Sequence, residues 1–317
     1  MGINSLLNKY NIKSEIFTFA EFYTIIMSFI YLILIFVFGG SIDDKLTPIL
    51  INLSVIIGIV LIARFTFPYL ENKNVYLLKK IYIAPLLWVV YSQIHIFIPI
   101  VNPHDYDTLL IEVDRALFGM DITKVLYNIA NPVLTEFLQF CYMLHFFLPI
   151  IIGIDLILTD KRKDLAAYAN LIAFGFYFSY IMYFFLPAIG PRFTLHDFNS
   201  INTELPGLWL TNFFRDAVNA GGAIPPGTPN PEIAVNRDCM PSGHTMIALM
   251  NIILAFRYKV RMRYVVLVLG SGLIFSTLYM RYHYLIDVIA GIASAMVVFW
   301  IEPKVRNWFK NKGYKQI

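Results

Sequence analysis

The sequence predicts an all-α membrane protein, a polytopic helical bundle with about eight transmembrane helices. Of its 317 residues, 58% are hydrophobic and only 15% are charged, whereas soluble domains carry about 25% charged residues. The mean hydropathy of the chain is +0.64. Apolar stretches long enough to cross roughly 30 Å of hydrocarbon lie at about residues 16–40, 46–70, 81–101, 133–158, 164–187, 244–258, 263–282 and 284–301. The first stretch exceeds the 7 to 15 apolar residues of a signal peptide, so we expect it to be retained.

The loops between these stretches predict how the chain crosses the membrane. Seventeen of the 25 Lys and Arg residues fall at the N-terminus, in the second, fourth and sixth connections, and in the C-terminal tail. Since Lys and Arg concentrate in cytoplasmic loops, both termini are expected in the cytoplasm. The net charge of +4 therefore reflects topology and does not indicate a nucleic-acid partner. We expect an integral protein of a bacterial inner membrane.

Two histidines at the outer ends of the last spans carry the functional signal. His244 follows Ser242 and Gly243 in "DCMPSGHTMIALM", at the start of an apolar run. His283 and Asp287 are four residues apart, hence on one helix face, where a carboxylate can hold one ring nitrogen and leave the other free. An ionisable residue such as Asp287 among apolar residues is a functional-site candidate. Because the basic loop between the two spans turns the chain in the cytoplasm, both imidazoles are expected at the same outer face.

Two arginines are predicted to reach the same level of the membrane. Arg192 follows an outward-running span, after "LPAIG", and Arg281 lies two residues before His283. Guanidinium groups bind phosphate oxygens in bidentate fashion, while one imidazole can attack phosphorus and another can protonate the leaving oxygen. The helix that starts near Ser242 and Gly243 adds backbone N–H groups and a positive dipole end. Together these residues predict phosphoryl transfer.

The motifs resemble those of a known superfamily. "PSGH" followed by H-x-x-x-D is similar to the second and third motifs of the type 2 phosphatidic acid phosphatase superfamily, which includes vanadium haloperoxidases. The elements "DTLLIEVDRALFG", "AIGPRF" and "RYHYLIDVIAG" resemble the branch of inositol phosphorylceramide synthases and related inositolphosphotransferases, over residues 105–301. The resemblance implies a six-helix membrane core in which His283 is the nucleophile, Asp287 orients it and His244 is the general acid.

Two positions depart from the motifs of that superfamily. Phe185 stands where the first motif has Lys, and Pro191 precedes Arg192 instead of following it. Thr277 replaces the arginine of the third motif, but Arg281 lies one helical turn further on the same face and is a candidate replacement. These variants favour the transferase branch over a simple phosphatase.

The expected reaction is transfer of a phospho-headgroup, such as phosphoinositol, from a membrane phospholipid to a lipid alcohol such as ceramide or diacylglycerol, through a phosphohistidine. One alternative is a lipid phosphate phosphatase that uses water and acts on phosphatidic acid, isoprenoid or sphingoid phosphates. The other is a non-catalytic lipid carrier or transporter. In either enzyme the site is expected on the extracytoplasmic face.

The chain is predicted to divide into four segments. Residues 1–101 contain the N-terminal transmembrane helices, and 102–132 have the pattern of an amphipathic helix on the membrane surface. Residues 133–303 are the predicted catalytic membrane domain, and 304–317 are a basic cytoplasmic tail. Within the catalytic domain, 188–243 is rich in Gly and Pro, so an irregular lid or substrate-binding loop is expected there.

Several polar residues outside the motifs have simpler expected roles. Arg237 and Asp238 are either a local ion pair or part of the substrate loop. His145 is expected to pack or to form a hydrogen bond within its span, and His196 to be solvated. The two cysteines lie in settings too different to suggest a disulfide.

A zinc site formed by His244, His283 and Asp287 would be chemically reasonable. However, we expect no further Cys or His near these three residues, and the resemblance implies metal-independent chemistry. We therefore expect neither a metal nor a cofactor.

Overall fold

A computed structural model describes residues 16–312 of the chain. Of these described residues 75% are helical and none forms a β-strand, which confirms the predicted all-α class. The first helices are α1 Phe19–Phe38, α2 Leu46–Thr66, α3 Lys73–Ile81, α4 Ile83–Tyr91, α5 Ile94–Val101, α6 Asp107–Phe118, α7 Ile122–Leu126, α8 Pro132–Met143 and α9 Phe147–Leu158. The remaining helices are α10 Arg162–Met182, α11 Pro191–Thr194, α12 Ile201–Glu204, α13 Thr211–Gly221, α14 Pro231–Ala234, α15 Gly243–Arg257, α16 Arg263–Tyr279 and α17 Leu285–Asn311.

The lengths of these helices support most of the predicted membrane crossings. Within the described chain, four helices are long and apolar enough to span a bilayer: α1, α2, α10 and α17. Two further stretches are bent: α3–α5, and α8–α9 with a bend of 63°. If each of these counts as one span, the number of spans rises to six. The other two predicted crossings correspond to α15 and α16, which have 15 and 17 residues. At 1.5 Å per residue they reach about 23 and 26 Å, less than the hydrocarbon thickness, so these two crossings stay a prediction.

The described residues form two compact units. One comprises the residues up to Gln93, Leu156–Tyr177 and the residues from Met296 onward, and the other comprises Ile94–Asp155 and Phe178–Ala295. In the first unit α1 packs against α2 and α4, and a Thr18–Glu21 capping box starts α1. The second unit contains every candidate site residue, in and around α15, α16 and α17.

Close packing around the start of α15 fixes the first histidine motif. The Ser242 hydroxyl accepts a hydrogen bond from the Thr245 backbone N–H at 3.2 Å and so caps the helix. A Cβ on Gly243 would overlap the Tyr183 hydroxyl, and one on Gly291 of α17 would lie 2.5 Å from the Ser242 carbonyl oxygen. Glycine at 291 therefore lets α17 approach the start of α15, and glycine at 243 leaves room for the Tyr183 hydroxyl at the end of α10.

Helix α6 is more than the surface helix that its amphipathic pattern predicts. Its Asp114 is 4% exposed and accepts hydrogen bonds from the backbone N–H groups of Leu285 and Ile286, both at 2.8 Å. These are the first residues of α17, so the carboxylate caps that helix where its dipole is positive. Burial raises the pKa of Asp114. The segment thus helps to position the second histidine motif.

The segment 188–243 contains more regular structure than its composition predicts. Its Gly- and Pro-rich part is irregular, but α13 forms 11 residues of helix from "TNFFRDAVNAG". The Thr211 hydroxyl and the backbone N–H groups of residues 208–211 donate hydrogen bonds to the Glu136 carboxylate of α8. This anchor holds the start of α13 against α8. The sequence prediction of an irregular loop was therefore wrong for α13.

Candidate active site

The two motif histidines meet at the ends of two helices. His244 is the second residue of α15, and His283 lies in the turn between α16 and α17. The centroids of their rings are 5.8 Å apart, with the ring planes at 56°. His283 is 4% exposed, and His244 is partly exposed. At this separation both rings can contact a single phosphoryl group.

Asp287 lies behind His283, as its spacing predicts. Its Oδ2 atom is 3.4 Å from Nδ1 of His283 and accepts the Tyr284 backbone N–H at 2.8 Å. The carboxylate is fully buried, and its Oδ1 atom has no hydrogen-bond partner among the described residues. A carboxylate at Nδ1 fixes the tautomer that leaves Nε2 of His283 with its lone pair free for attack.

Cys239 is an additional member of this group. Its thiol donates to Oδ2 of Asp287 at 2.9 Å and lies 3.5 Å from Nδ1 of His283 and 3.3 Å from the Tyr282 carbonyl oxygen. Burial raises the pKa of the thiol, and the charges of Asp287 and Asp107 raise it further. The thiol is thus a neutral hydrogen-bond donor. Both cysteines of the chain are free, as expected.

The cysteine also corrects the sequence interpretation of metal binding. Atoms of Cys239, His283 and Asp287 that can ligate a metal all lie within 4.8 Å of one another, so a further ligand does lie near the histidine motif. The three could bind an ion such as zinc with one position open. In the described part of the chain no fourth His, Cys, Asp or Glu joins this group.

An aromatic wall covers His244 from the bend between α8 and α9. The Tyr142 ring stacks on the His244 ring at 4.3 Å, and its hydroxyl is 3.5 Å from Nδ1. The centroids of the His145 and His244 rings are 4.1 Å apart. The sequence predicts only packing or hydrogen bonding for His145 and indicates no role for Tyr142. An ionisable residue inside an apolar span is the signal that could have identified His145.

Arg192 lies against Tyr282, the residue that precedes His283. Its guanidinium carbon is 5.0 Å from the centre of the Tyr282 ring, and Nη1 donates to Asn219 Oδ1 of α13 at 2.8 Å. The Tyr282 ring in turn lies 4.3 Å from the Tyr142 ring that stacks on His244. Arg192 is 7% exposed. A buried guanidinium at this place can bind an anion held between the histidines.

Arg281 faces a different partner. It is 1% exposed and forms an ion pair with Glu204, and this hydrogen bond lowers the pKa of Glu204. Its φ of +65° lies in the left-handed region, at the residue that follows Met280, the C-cap of α16, where glycine is usual. The predicted role of Arg281 in phosphate binding stays a prediction, and its charge is already neutralised by Glu204.

The two candidate residues of the substrate loop, Arg237 and Asp238, have different surroundings, and the ion pair of Arg237 is with Asp105. Arg237 pairs with Asp105 at 2.7 Å and donates to the carbonyl oxygens of Ile233 and Val235. Asp238 lies near enough to Tyr142 to influence it electrostatically. His196, expected to be solvated, is half-buried and lies 2.9 Å from the Thr123 hydroxyl.

Asp107 of α6 is a further residue that sequence analysis missed. It accepts hydrogen bonds from the backbone N–H groups of Ile189 and Gly190, at 3.0 and 2.8 Å, and from the Tyr284 hydroxyl at 2.7 Å. It thus ties the segment before Arg192 to the segment after His283. The seven-residue spacing of the two α6 carboxylates, Asp107 and Asp114, puts both on one helix face and is the signal that could have shown this.

A comparison with known families agrees with this site. A family model of the PAP2 superfamily matches residues 108–301, which include Arg192 and the group of His244, His283 and Asp287. The chain therefore belongs to the PAP2 superfamily, whose members are phosphatases or phosphotransferases. No curated protein and no solved structure matches the chain. With its apolar helices, the chain is an integral membrane enzyme of this superfamily.

Proposed function

We propose that the protein transfers a phospho-headgroup from a membrane phospholipid to a lipid alcohol through a phosphohistidine on His283. The observation that supports this most directly is the pairing of the two imidazoles 5.8 Å apart, with the Asp287 carboxylate behind only one of them. Two histidines in unequal settings have different roles, and the one backed by a carboxylate is the nucleophile.

In the first step, Nε2 of His283 attacks the phosphorus of the donor phosphoester. The bond between phosphorus and the donor lipid oxygen breaks as the nitrogen–phosphorus bond forms, roughly in line. A protonated His244 gives its proton to the departing oxygen, so the donor leaves as an alcohol. Asp287 stabilises the positive charge that develops on the His283 ring.

The second step reverses these roles. His244, now neutral, takes the proton from the hydroxyl group of the acceptor as its oxygen attacks phosphorus. The nitrogen–phosphorus bond breaks, and the imidazole of His283 returns to its starting state. The same sequence with water as acceptor would make the protein a phosphatase.

The surroundings of His283 favour an alcohol over water as acceptor. The side chain is 4% exposed, and Tyr142 and Tyr282 form an aromatic wall beside the pair. Exclusion of water protects a reactive intermediate from hydrolysis. The variants at Phe185 and Thr277 also match the transferase branch, for which phosphoinositol is a candidate headgroup and ceramide or diacylglycerol a candidate acceptor.

The proposed site lies on the extracytoplasmic face. This follows from the distribution of basic residues, which places the connection between α15 and α16 in the cytoplasm. The histidines lie at the other ends of these helices. The short length of α15 is consistent with a site at the depth of the lipid headgroups.

Labelled phosphorus tests the proposal. Purified protein in lipid micelles receives a phospholipid labelled at phosphorus together with ceramide or diacylglycerol, beside His283→Ala and the exposed control His104→Ala. Label in a new lipid, formed by the wild type and by His104→Ala but not by His283→Ala, supports transfer. Label only in free phosphate or headgroup phosphate would make the protein a hydrolase, and no product at all would favour a carrier.

A further inference from the structure

Two arginines of the second unit are buried without a negative partner. Arg192 is 7% exposed and Arg215, in α13, is 3% exposed. Neither has a carboxylate within ion-pair distance among residues 16–312. The partners of Arg215 are neutral: Nη1 donates to Asn202 Oδ1, and Nη2 donates to the Leu205 carbonyl oxygen at 3.0 Å.

The other arginines near the site are paired. Arg281 forms its ion pair with Glu204, and Arg237 forms one with Asp105. Asp216 follows Arg215 in sequence, but it is exposed. The charge of Asp216 acts on Arg215 from a distance, but neither Arg192 nor Arg215 forms an ion pair with a described carboxylate.

A buried charge without a partner carries a large desolvation penalty. Burial accordingly lowers the pKa of Arg215, although a guanidinium stays charged at any physiological pH. Such a penalty is offset when an anion binds, because it supplies the missing charge and accepts the free N–H groups. A buried pair of unpaired arginines is therefore a feature of an anion site.

Both arginines converge on the residue next to the nucleophile. The Tyr282 ring lies 5.0 Å from the guanidinium carbon of Arg192, and the Tyr282 side chain also interacts with Arg215. Asn219 links the two elements, since it lies in α13 and accepts the hydrogen bond from Arg192. The helix that carries Arg215 thus contacts the predicted phosphate-binding arginine directly.

We propose that Arg215 of α13 binds the phosphate group of the substrate together with Arg192. The inference rests on the proposed function and names a binding residue that lies outside all three sequence motifs. It also assigns to α13 a positive charge in place of the Lys and Arg that the superfamily motifs have at the positions of Phe185 and Thr277, and it leaves Arg281 to its ion pair with Glu204.

The inference is tested by phosphate binding without turnover. The full chain in lipid micelles is titrated with inorganic phosphate, and the rise of its melting temperature gives the affinity. Arg215→Gln is compared with wild type and with Arg115→Gln, an exposed arginine that pairs with Asp121. We expect Arg215→Gln to weaken phosphate binding by about tenfold or more, as for a lost hydrogen bond to a charged group, and Arg115→Gln to leave it unchanged.

An unchanged phosphate affinity in Arg215→Gln, with a lower melting temperature, would show a purely structural role and overturn the inference. If the Gln variant does not fold, Arg215→Lys replaces it, because lysine keeps the charge and loses the planar fork of the guanidinium. We again expect weaker phosphate binding, and a wild-type phosphate affinity in Arg215→Lys would contradict the inference. The labelled-lipid assay on the same preparations separates the two proposals. Product formation with phosphate affinity independent of Arg215 would refute only this inference, and Arg215-dependent phosphate binding without product would refute only the proposed function.

Discussion

The Cys239 thiol donates a hydrogen bond to Oδ2 of Asp287 at 2.9 Å, the same oxygen that faces Nδ1 of His283 at 3.4 Å. The nucleophile's orienting carboxylate is therefore itself held by a neutral donor. Oδ2 also accepts the Tyr284 backbone N–H, so three groups converge on one atom. This arrangement makes Cys239 a positioning residue for the reaction.

Replacing Cys239 tests this role. Cys239→Ala removes one donor to a buried carboxylate, an effect of about 1.5 kcal/mol, and is expected to lower kcat about tenfold with little change in KM. Cys239→Ser keeps a donor at this place and is expected to retain most of the activity. Steady-state kinetics of both variants gives the answer, and equal losses in the two would contradict hydrogen bonding as the cause.

A second prediction concerns the helix cap supplied by α6. Asp114→Ala removes the acceptor for the first two N–H groups of α17. We expect the free energy of unfolding to fall by about 1–2 kcal/mol and kcat to fall with it, because His283 lies just before this helix. Glu112→Gln, on the exposed side of α6, is the control. An Asp114→Ala variant as active and stable as that control would exclude the capping role.

The stability of the protein should depend on pH through His196. Burial, and next to it the charge of Arg281, lower the pKa of this imidazole to about 4 from 6.5. Between these two values the unfolded chain binds a proton that the folded chain does not, so His196 lowers the stability as the pH falls from about 6.5 to about 4. His196→Gln should therefore show a shallower loss of melting temperature over this range than wild type. If the melting temperature fell with pH equally steeply in both proteins, the buried, neutral state of His196 would be refuted.

The cluster of Cys239, His283 and Asp287 leads to a prediction about metals. In the proposed reaction His283 acts as a nucleophile and Cys239 as a neutral donor, and neither role requires an ion. Prolonged treatment with a strong chelator is expected to leave kcat unchanged, and elemental analysis should show no stoichiometric zinc. Activity that chelation abolishes and zinc restores would instead assign the three residues to a metal site.

The sequence could predict the central part of the site because local rules decide it. His283 and Asp287 are four residues apart and come within 3.4 Å of each other, although His283 lies in the turn before α17 and not on its face. A hairpin of two helices returns His283 to the level of His244. Burial of both motifs follows from the same apolar pattern that predicts the helices. The all-α class was predicted for the same reason.

The rest of the site depends on contacts that no local pattern encodes. Tyr142 and His145 reach His244 only because the chain bends between α8 and α9, and Arg215 arrives on a helix within a segment whose Gly and Pro content predicts a loop. Cys239 lies close to His244 in sequence, yet its thiol contacts His283 and Asp287 of the third motif. These residues are positioned by tertiary packing, so the sequence predicted neither their neighbours nor their roles.

The central claim is that the phospho group passes through Nε2 of His283. The most direct test is to mix the protein with a donor phospholipid labelled at phosphorus, quench the reaction within one turnover, and locate the label on the chain by peptide mass spectrometry. We expect an alkali-stable, acid-labile phosphohistidine at His283, and we expect it to be absent from the His283→Ala variant. Label on His244 or Cys239, or a complete turnover with no labelled peptide, would contradict it.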